Sequence, residues 1–266
     1  MAVEGPRKSL LRGELKIGTL FTFLQLASGF LSAAFGVVGT YLSLVVLRPQ
    51  LVKAQEILAI DPEPPTKIGA ASSADGIVVM DDVWFRYTPM GPWILREYQL
   101  RVELGERHTI RGPSGSGKST IMRLVAGLYM PERGTIRVGG LTPQDARSSI
   151  LFLPQNVQLY GGSILDNLRV ISGGASREGL MDAARRTGLQ PFVQTLPMQF
   201  DTLLPHGANS LSGGQRQLIA LTAALASQRS LLLLDEPLAN LDNLWATTLD
   251  RVLSQCSSTR IMAGHG

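Results

Sequence analysis

The sequence predicts an α/β domain preceded by one membrane-spanning helix. Three observations carry this reading. Residues Ile17 to Leu47 contain no Asp, Glu, Lys or Arg. From Ile77 onward, short apolar strands alternate with helical segments. Within that second region a glycine-rich loop follows a strand and opens a helix.

The first element is the span. An apolar run of about 20 residues crosses a bilayer as a helix. Residues 17–47 as a helix reach about 46 Å, against a hydrocarbon core of about 30 Å, so the helix tilts or projects beyond the membrane. Ser28, Ser32, Gly36 and Thr40 recur every fourth residue and share a face, with Gly29 and Ala33 beside them. Small residues on a membrane helix let a neighbouring helix approach closely. Residues 48–60 continue as a helix with Leu51, Ala54 and Leu58 on one side. The Asp61-Pro-Glu-Pro-Pro stretch ends it, because proline removes backbone donors and clashes with the preceding turn. Residues 61–76 form a linker.

Before the span, residues 1–16 form a polar lead carrying Arg7, Lys8, Arg12 and Lys16. The apolar run is longer than the core of a signal peptide and lacks a small-residue cleavage site at Arg48-Pro49. Positive charge before a span favours the cytoplasmic side for the lead. The nucleotide chemistry read below requires the cytoplasm for the other end. Either the run is a hairpin, or upstream helices set the orientation; no charged turn interrupts the run, which favours the second.

From Ile77, strands are expected at 77–80, 99–102, 108–111, 135–138, 150–153, 231–234 and 260–263. Helices are expected at 118–127, 176–187, 214–227 and 244–255. Such alternation defines an α/β core. Composition limits the function classes further. The net charge of +4 comes from scattered positives, several flanking the apolar run, so no basic patch suggests nucleic acid. The one cysteine, Cys256, excludes an intrachain disulfide.

The chemistry begins at Gly112, Pro113, Ser114, Gly115, Ser116, Gly117, Lys118, Ser119 and Thr120. This is a phosphate-binding loop of the P-loop NTPase kind. Its glycines let backbone N–H groups converge on phosphate oxygens, and the helix N-terminus adds partial positive charge. Lys118 reaches the β- and γ-phosphates, and Ser119 ligates Mg²⁺. The ligands implied are ATP and Mg²⁺. Leu231-Leu-Leu-Leu-Asp235-Glu236 is a buried parallel strand ending in two acids. Asp235 is placed to hold Mg²⁺ through water, and Glu236 to polarise the attacking water. Leu211, Ser212, Gly213, Gly214 and Gln215 open a further helix and make a second anion site. Two phosphate sites in one domain make sense if domains pair and the second site meets the partner's nucleotide.

These motifs, in this order, resemble those of ATP-binding cassette (ABC) transporters. The resemblance implies an ABC nucleotide-binding domain with a helical subdomain at 77–266, preceded by one transmembrane helix. It gives roles to further residues. Tyr87 in Val83-Trp-Phe-Arg-Tyr87 resembles the aromatic that stacks on adenine. Gln155 resembles the glutamine that senses Mg²⁺, the water and the membrane domain. Asp242, in Leu238-Ala-Asn-Leu-Asp242, resembles the loop that communicates between two cassettes. His265 resembles the histidine at the γ-phosphate. Glu236, His265 and Gln155 are thus the expected catalytic set, with Ser119, Gln155 and Asp235 at the metal.

Several stretches resemble exporters of the bacteriocin or peptide type: Gly13–Leu20, Tyr160–Asn167, Leu196–Thr202 and Thr259–Ile261. On this resemblance residues 1–16 are the remnant of an extracytoplasmic loop, and 17–60 are the last transmembrane helix with its cytoplasmic extension. The partners implied are a second half-transporter, homo- or heterodimeric, the membrane, and a peptide cargo. The location implied is the cell (inner) membrane with the cassette in the cytoplasm. Departures are visible: Pro237 stands where exporters usually have Ala, Ala223 where they have Arg, and His206 where they have an acid. The tail that exporters carry after His265 and the earlier membrane helices are expected to be missing, so the chain reads as a fragment or a truncated gene product. The rival readings are a truncated ATP-binding module that transports nothing, a soluble cassette with a separate permease, and a nucleic-acid repair ATPase. The span argues against the soluble cassette, and the lack of long heptads against the repair ATPase.

Expressed as it stands, the chain is expected to insert in mixed orientation, because the charges on its lead oppose the cassette's cytoplasmic side. Cysteine accessibility with G5C and A70C checks this: one uniform orientation, 5 outside and 70 inside, would refute it.

Overall fold

The computed structural model describes residues 17–58, 75–208 and 210–264. The expected lead, the linker as far as residue 74 and His265 lie outside the described residues. The chain divides into two units at residues 65 and 66.

The first unit contains α1 (Ile17–Leu58), a single 42-residue helix with Pro49 inside it. At 1.5 Å per residue it is about 63 Å long. Its stretch Ile17–Gln55 is long and apolar enough to cross a membrane, with a mean hydropathy of 2.0. Its large side chains, such as Phe21, Phe30 and Phe35, are exposed within this chain. Four of its hydroxyls bond the helix itself. Thr22 donates to Gly18 O, Ser28 to Gln25 O, Thr40 to Gly36 O and Ser43 to Gly39 O, all at 2.9–3.0 Å. That arrangement leaves no bare hydroxyl proton at these four positions, as a lipid environment requires.

The second unit is the α/β domain. An antiparallel sheet joins β1 (Val78–Phe85), β2 (Leu95–Val102) and β4 (Arg133–Val138) in the order β2-β1-β4. A parallel sheet joins β3 (Arg107–Arg111), β5 (Ile150–Leu153), β8 (Leu231–Asp235) and β9 (Thr259–Gly264) in the order β3-β9-β8-β5. A two-stranded ribbon pairs β6 (Gly162–Ser163) with β7 (Leu203–Leu204). The helices are α2 (Lys118–Val125), α3 (Ile164–Ser172), α4 (Arg177–Thr187), α5 (Leu189–Gln194), α6 (Gly213–Ala226) and α7 (Asn243–Ser254).

Two cores meet at β8. Leu231 and Leu233 pack with β1, β2, α2 and β4. Leu232 and Leu234 pack with α3, α4, α5 and α6, the helical subdomain. All five β8 residues are buried, which is why the strand reads as an unbroken aliphatic run rather than an alternation.

The expected strands and helices are present, and the structure adds α3 and α5. The signal for α3 was in the sequence: Ser163 and Asp166 form a capping box, S-x-x-D, closed by Ser163 N–H to Asp166 Oδ2 at 3.0 Å and Asp166 N–H to Ser163 Oγ at 3.0 Å. The hydrogen bonds from the Ser163 hydroxyl and N–H hold the Asp166 carboxyl below its usual range. β1 runs past the expected end at Met80, because the Asp81-Asp82 pair is absorbed as an irregularity in the register, with Asp82 at φ 47°.

One buried cation ties the base of the parallel sheet together. Arg260 on β9 is 4% exposed. Its guanidinium donates to Leu253 O at 2.7 Å, to Cys256 O, and to Gly105 O at 3.0 Å. The Leu253 carbonyl lies in the last turn of α7, where the helix dipole favours positive charge. Arg260→Met should therefore lower stability by about 2–4 kcal/mol, because buried carbonyls lose their donors. Thermal and denaturant unfolding of the full chain in detergent measures it; an unchanged midpoint would contradict the assignment.

Candidate nucleotide-binding site

The phosphate loop connects β3 to α2. Gly117, at φ 92°, is the N-cap of α2, and a Cβ there would sit 3.1 Å from Ile94 Cγ2. Glycine is required on both counts. Lys118 is 6% exposed, and its ammonium donates to Gly112 O at 2.7 Å and Pro113 O at 3.0 Å. The loop thus wraps its own cation, and Gly112, Pro113 and Ser116 form the wrap.

A cleft of about 320 Å³ opens over this loop. Ser114, Gly115, Gly117, Lys118, Ser119 and Thr120 line one wall; Tyr87, Ile94, Gln155 and Glu236 line the rest. Residues from four distant parts of the sequence therefore converge as expected. Gln155, just after β5, donates from Nε2 to Glu236 Oε2 at 2.7 Å across 81 positions. Glu236 follows β8 directly and adopts φ 49°, a left-handed conformation that costs a non-glycine residue energy and gathers at functional sites. Asp235 is 5% exposed, ends β8 and stands outside the lining of the cleft. Tyr87 is half-exposed, and its ring meets Phe85 and Tyr129 edge-on at 5.1 and 5.3 Å.

The oxygens present suit Mg²⁺. Among the described residues no cluster of His, Cys, Asp and Glu could hold a metal alone. Magnesium at nucleotide sites needs no such cage, because phosphate oxygens and water supply most of its shell. The Ser119 hydroxyl, the Asp235 carboxylate and the Gln155 amide oxygen are hard donors of the right kind.

The Leu211–Gln215 stretch does not line this cleft. Ser212 caps α6: Gln215 N–H donates to Ser212 Oγ at 3.1 Å, and Ser212 N–H donates to Gln215 Oε1 at 2.8 Å. Both side chains are thus engaged in a capping box, with Ser212 and Gly213 exposed and Leu211 and Gly214 buried. Asp242 caps α7, accepting from Trp245 N–H at 2.8 Å. His265 lies outside the described residues. The departures from the exporter pattern have local settings. Ala223 is fully buried in the helical core. Pro237 O accepts from the buried Gln217 Nε2 at 3.2 Å. Gly161 approaches the exposed His206 so closely that a Cβ would lie 3.3 Å from its ring. Sequence reasoning did not single out Ile94, Gln217 or Arg123, which complete or support the cleft. The i, i+3 spacing of Thr120 and Arg123 on one helix was the signal available for Arg123.

A phosphate loop under a cleft closed by a Gln–Glu pair, beside a helical subdomain that begins with a capped Ser-Gly-Gly, defines a nucleotide-binding cassette. The chain belongs to the ABC transporter family: the family model for the ABC transporter domain matches residues 95–239, more than half of the chain. It is 32% identical over 258 residues to the lactococcin-A transport/processing ATP-binding protein LcnC of Lactococcus lactis subsp. lactis, covering 95% of this chain and 36% of that one. It is 29% identical over 238 residues to the alpha-hemolysin translocation ATP-binding protein HlyB of Escherichia coli, covering 88% and 34%. A bacterial Atm1-family ABC exporter with ATP bound superposes with a TM-score of 0.72 at 28% identity, covering 83% of this chain and 40% of that one. The chain thus spans about a third of the length of the curated relatives it matches.

Gly213 and Gly214 differ in what this chain demands of them. A Cβ on Gly214 would stand 2.6 Å from Asn240 O, whereas one on Gly213 meets nothing nearer than 3.9 Å. Gly214→Ala should cost about 1–3 kcal/mol of stability, by forcing α6 from the 236–242 loop. Gly213→Ala should be neutral within about 0.5 kcal/mol. Unfolding curves of the two variants, compared side by side, give the answer; equal effects would refute the close approach.

Proposed function

We propose that this chain is the ATP-hydrolysing part of an ABC exporter subunit, acting as a dimer in the cell membrane with its cassette in the cytoplasm. The single observation that carries this is the convergence of Lys118, Ser119, Thr120, Tyr87, Gln155 and Glu236 on one cleft. Residues 17–60 serve as the last membrane helix and its extension, 61–76 as linker and 77–266 as the cassette. The names of the bacteriocin and toxin relatives support a peptide or protein cargo.

In this reading Tyr87 stacks on the adenine, and the loop amides, the α2 N-terminus and Lys118 hold the polyphosphate. Ser119, Asp235 and Gln155 would hold Mg²⁺, which would neutralise phosphate charge when bound. Glu236 accepts a proton from the attacking water, Gln155 orients Glu236, and His265 contacts the γ-phosphate. Catalysis is then chiefly positioning and electrostatics. The exposed α6 N-terminus does not line its own cleft, and this supports a role at the nucleotide of a second cassette, with Asp242 in the loop between the two.

Lys118→Ala should abolish ATP binding at millimolar nucleotide, since it removes the loop's side-chain cation. Glu236→Gln should keep binding within a few-fold and lower turnover at least about a hundredfold, since an amide is a poor proton acceptor. Photoaffinity labelling and phosphate release on the full chain in detergent measure the two effects. Turnover within a few-fold of wild type in Glu236→Gln would shift the base assignment to His265.

A further inference from the structure

We infer that Arg123 is a positioning residue that fixes the direction of a hydroxyl relay, Arg123–Tyr87–Thr120, so that the Thr120 O–H is free to donate to a nucleotide phosphate. The inference rests on the cleft's being a nucleotide site.

Thr120 and Arg123 stand three residues apart on α2 and so share a face. Arg123 NH1 donates to the Tyr87 hydroxyl at 3.3 Å, and the Tyr87 and Thr120 hydroxyls are 2.9 Å apart. Geometry alone leaves the direction of the second bond open, but chemistry decides it. A guanidinium only donates, so one lone pair of the phenol oxygen is taken by Arg123. A phenol is a far stronger acid than an aliphatic alcohol, and a cation on its oxygen strengthens it further as a donor. In the inferred relay the more acidic phenol is the donor, and the Tyr87 proton goes to Thr120 Oγ1. Thr120, 5% exposed and on the wall of the cleft, then has its own proton to direct elsewhere.

The same phenol is held at its other end by ring packing. Phe85, Tyr87 and Tyr129 make three mutual contacts with centroids 5.1–5.6 Å apart. Ring and hydroxyl are thus fixed independently. The packing sets the plane of Tyr87, and Arg123 sets the proton. Arg123 thereby acts on the phosphate end of the nucleotide without touching it, through a residue whose ring belongs to the base end.

Displacement of a fluorescent ATP analogue from the full chain in detergent tests this, with Mg-ATP and inorganic tripolyphosphate as competitors. Arg123→Met should weaken both about three- to tenfold, the scale of one hydrogen bond. Tyr87→Phe, which keeps the ring, should give the same loss. Adding Arg123→Met to Tyr87→Phe should change affinity less than about twofold, as expected when two residues act through one hydrogen bond. Arg123→Lys, which keeps a donor, should fall between wild type and Met; Arg123→Gln serves if Met does not fold. A full additional loss in the Tyr87→Phe background, or a loss for ATP but not for tripolyphosphate, overturns the relay. No saturable binding by wild type overturns the nucleotide reading itself, and the relay with it.

Discussion

Strand β8 is buried on both faces, and the rest of the cassette is arranged around that condition. Its leucines alternate between the core under the antiparallel sheet and the core of the helical subdomain. Burial of each stabilises the fold by about 2 kcal/mol, and the strand gives each core two fully buried side chains. A strand locked in this way delivers its C-terminal residues to a fixed place. Asp235 is the last residue in the ladder, paired with Ala263 of β9. Glu236, one residue further, turns through a left-handed conformation and reaches the Gln155 side chain.

The cleft is therefore where a rigid strand end meets a rigid helix start. β3 and α2 hold the phosphate loop from one side, and β5 and β8 present Gln155 and Glu236 from the other. The segment after Glu236 is held as firmly. Gln217 binds the Pro237 carbonyl, Gly214 admits the Asn240 carbonyl, and Asp242 caps the next helix. Helix α6 thus packs closely on the loop that follows the acid pair.

Two groups of polar side chains are met by backbone carbonyls. In α1 the hydroxyls of Thr22, Ser28, Thr40 and Ser43 return to the helix that bears them, an arrangement that suits a lipid environment. In the cassette the buried guanidinium of Arg260 is surrounded by carbonyls instead of carboxylates. Its charge is met by the end of α7 and by the turn at Gly105, so one side chain joins three segments.

The sequence alone determined the motifs and their order. The glycine loop at 112–120, the aliphatic run before Asp235 and the Ser-Gly-Gly before α6 each encode a backbone geometry locally, and local geometry is legible in neighbouring residues. The apolar run at 17–47 was equally plain, since membrane-crossing length depends on composition. Helices α3 and α5 were less so, because α5 is short and α3 announces itself only by its cap. Tertiary structure decided what composition does not encode: that Gln155 meets Glu236 across 81 positions, that Tyr87 bonds Thr120 and is touched by Arg123, and that Gly214 rather than Gly213 faces a carbonyl. Each of these joins residues distant in sequence or distinguishes neighbours of the same kind. The packing of β8 between two cores brings them within a few ångströms, and no pattern along the chain records that distance.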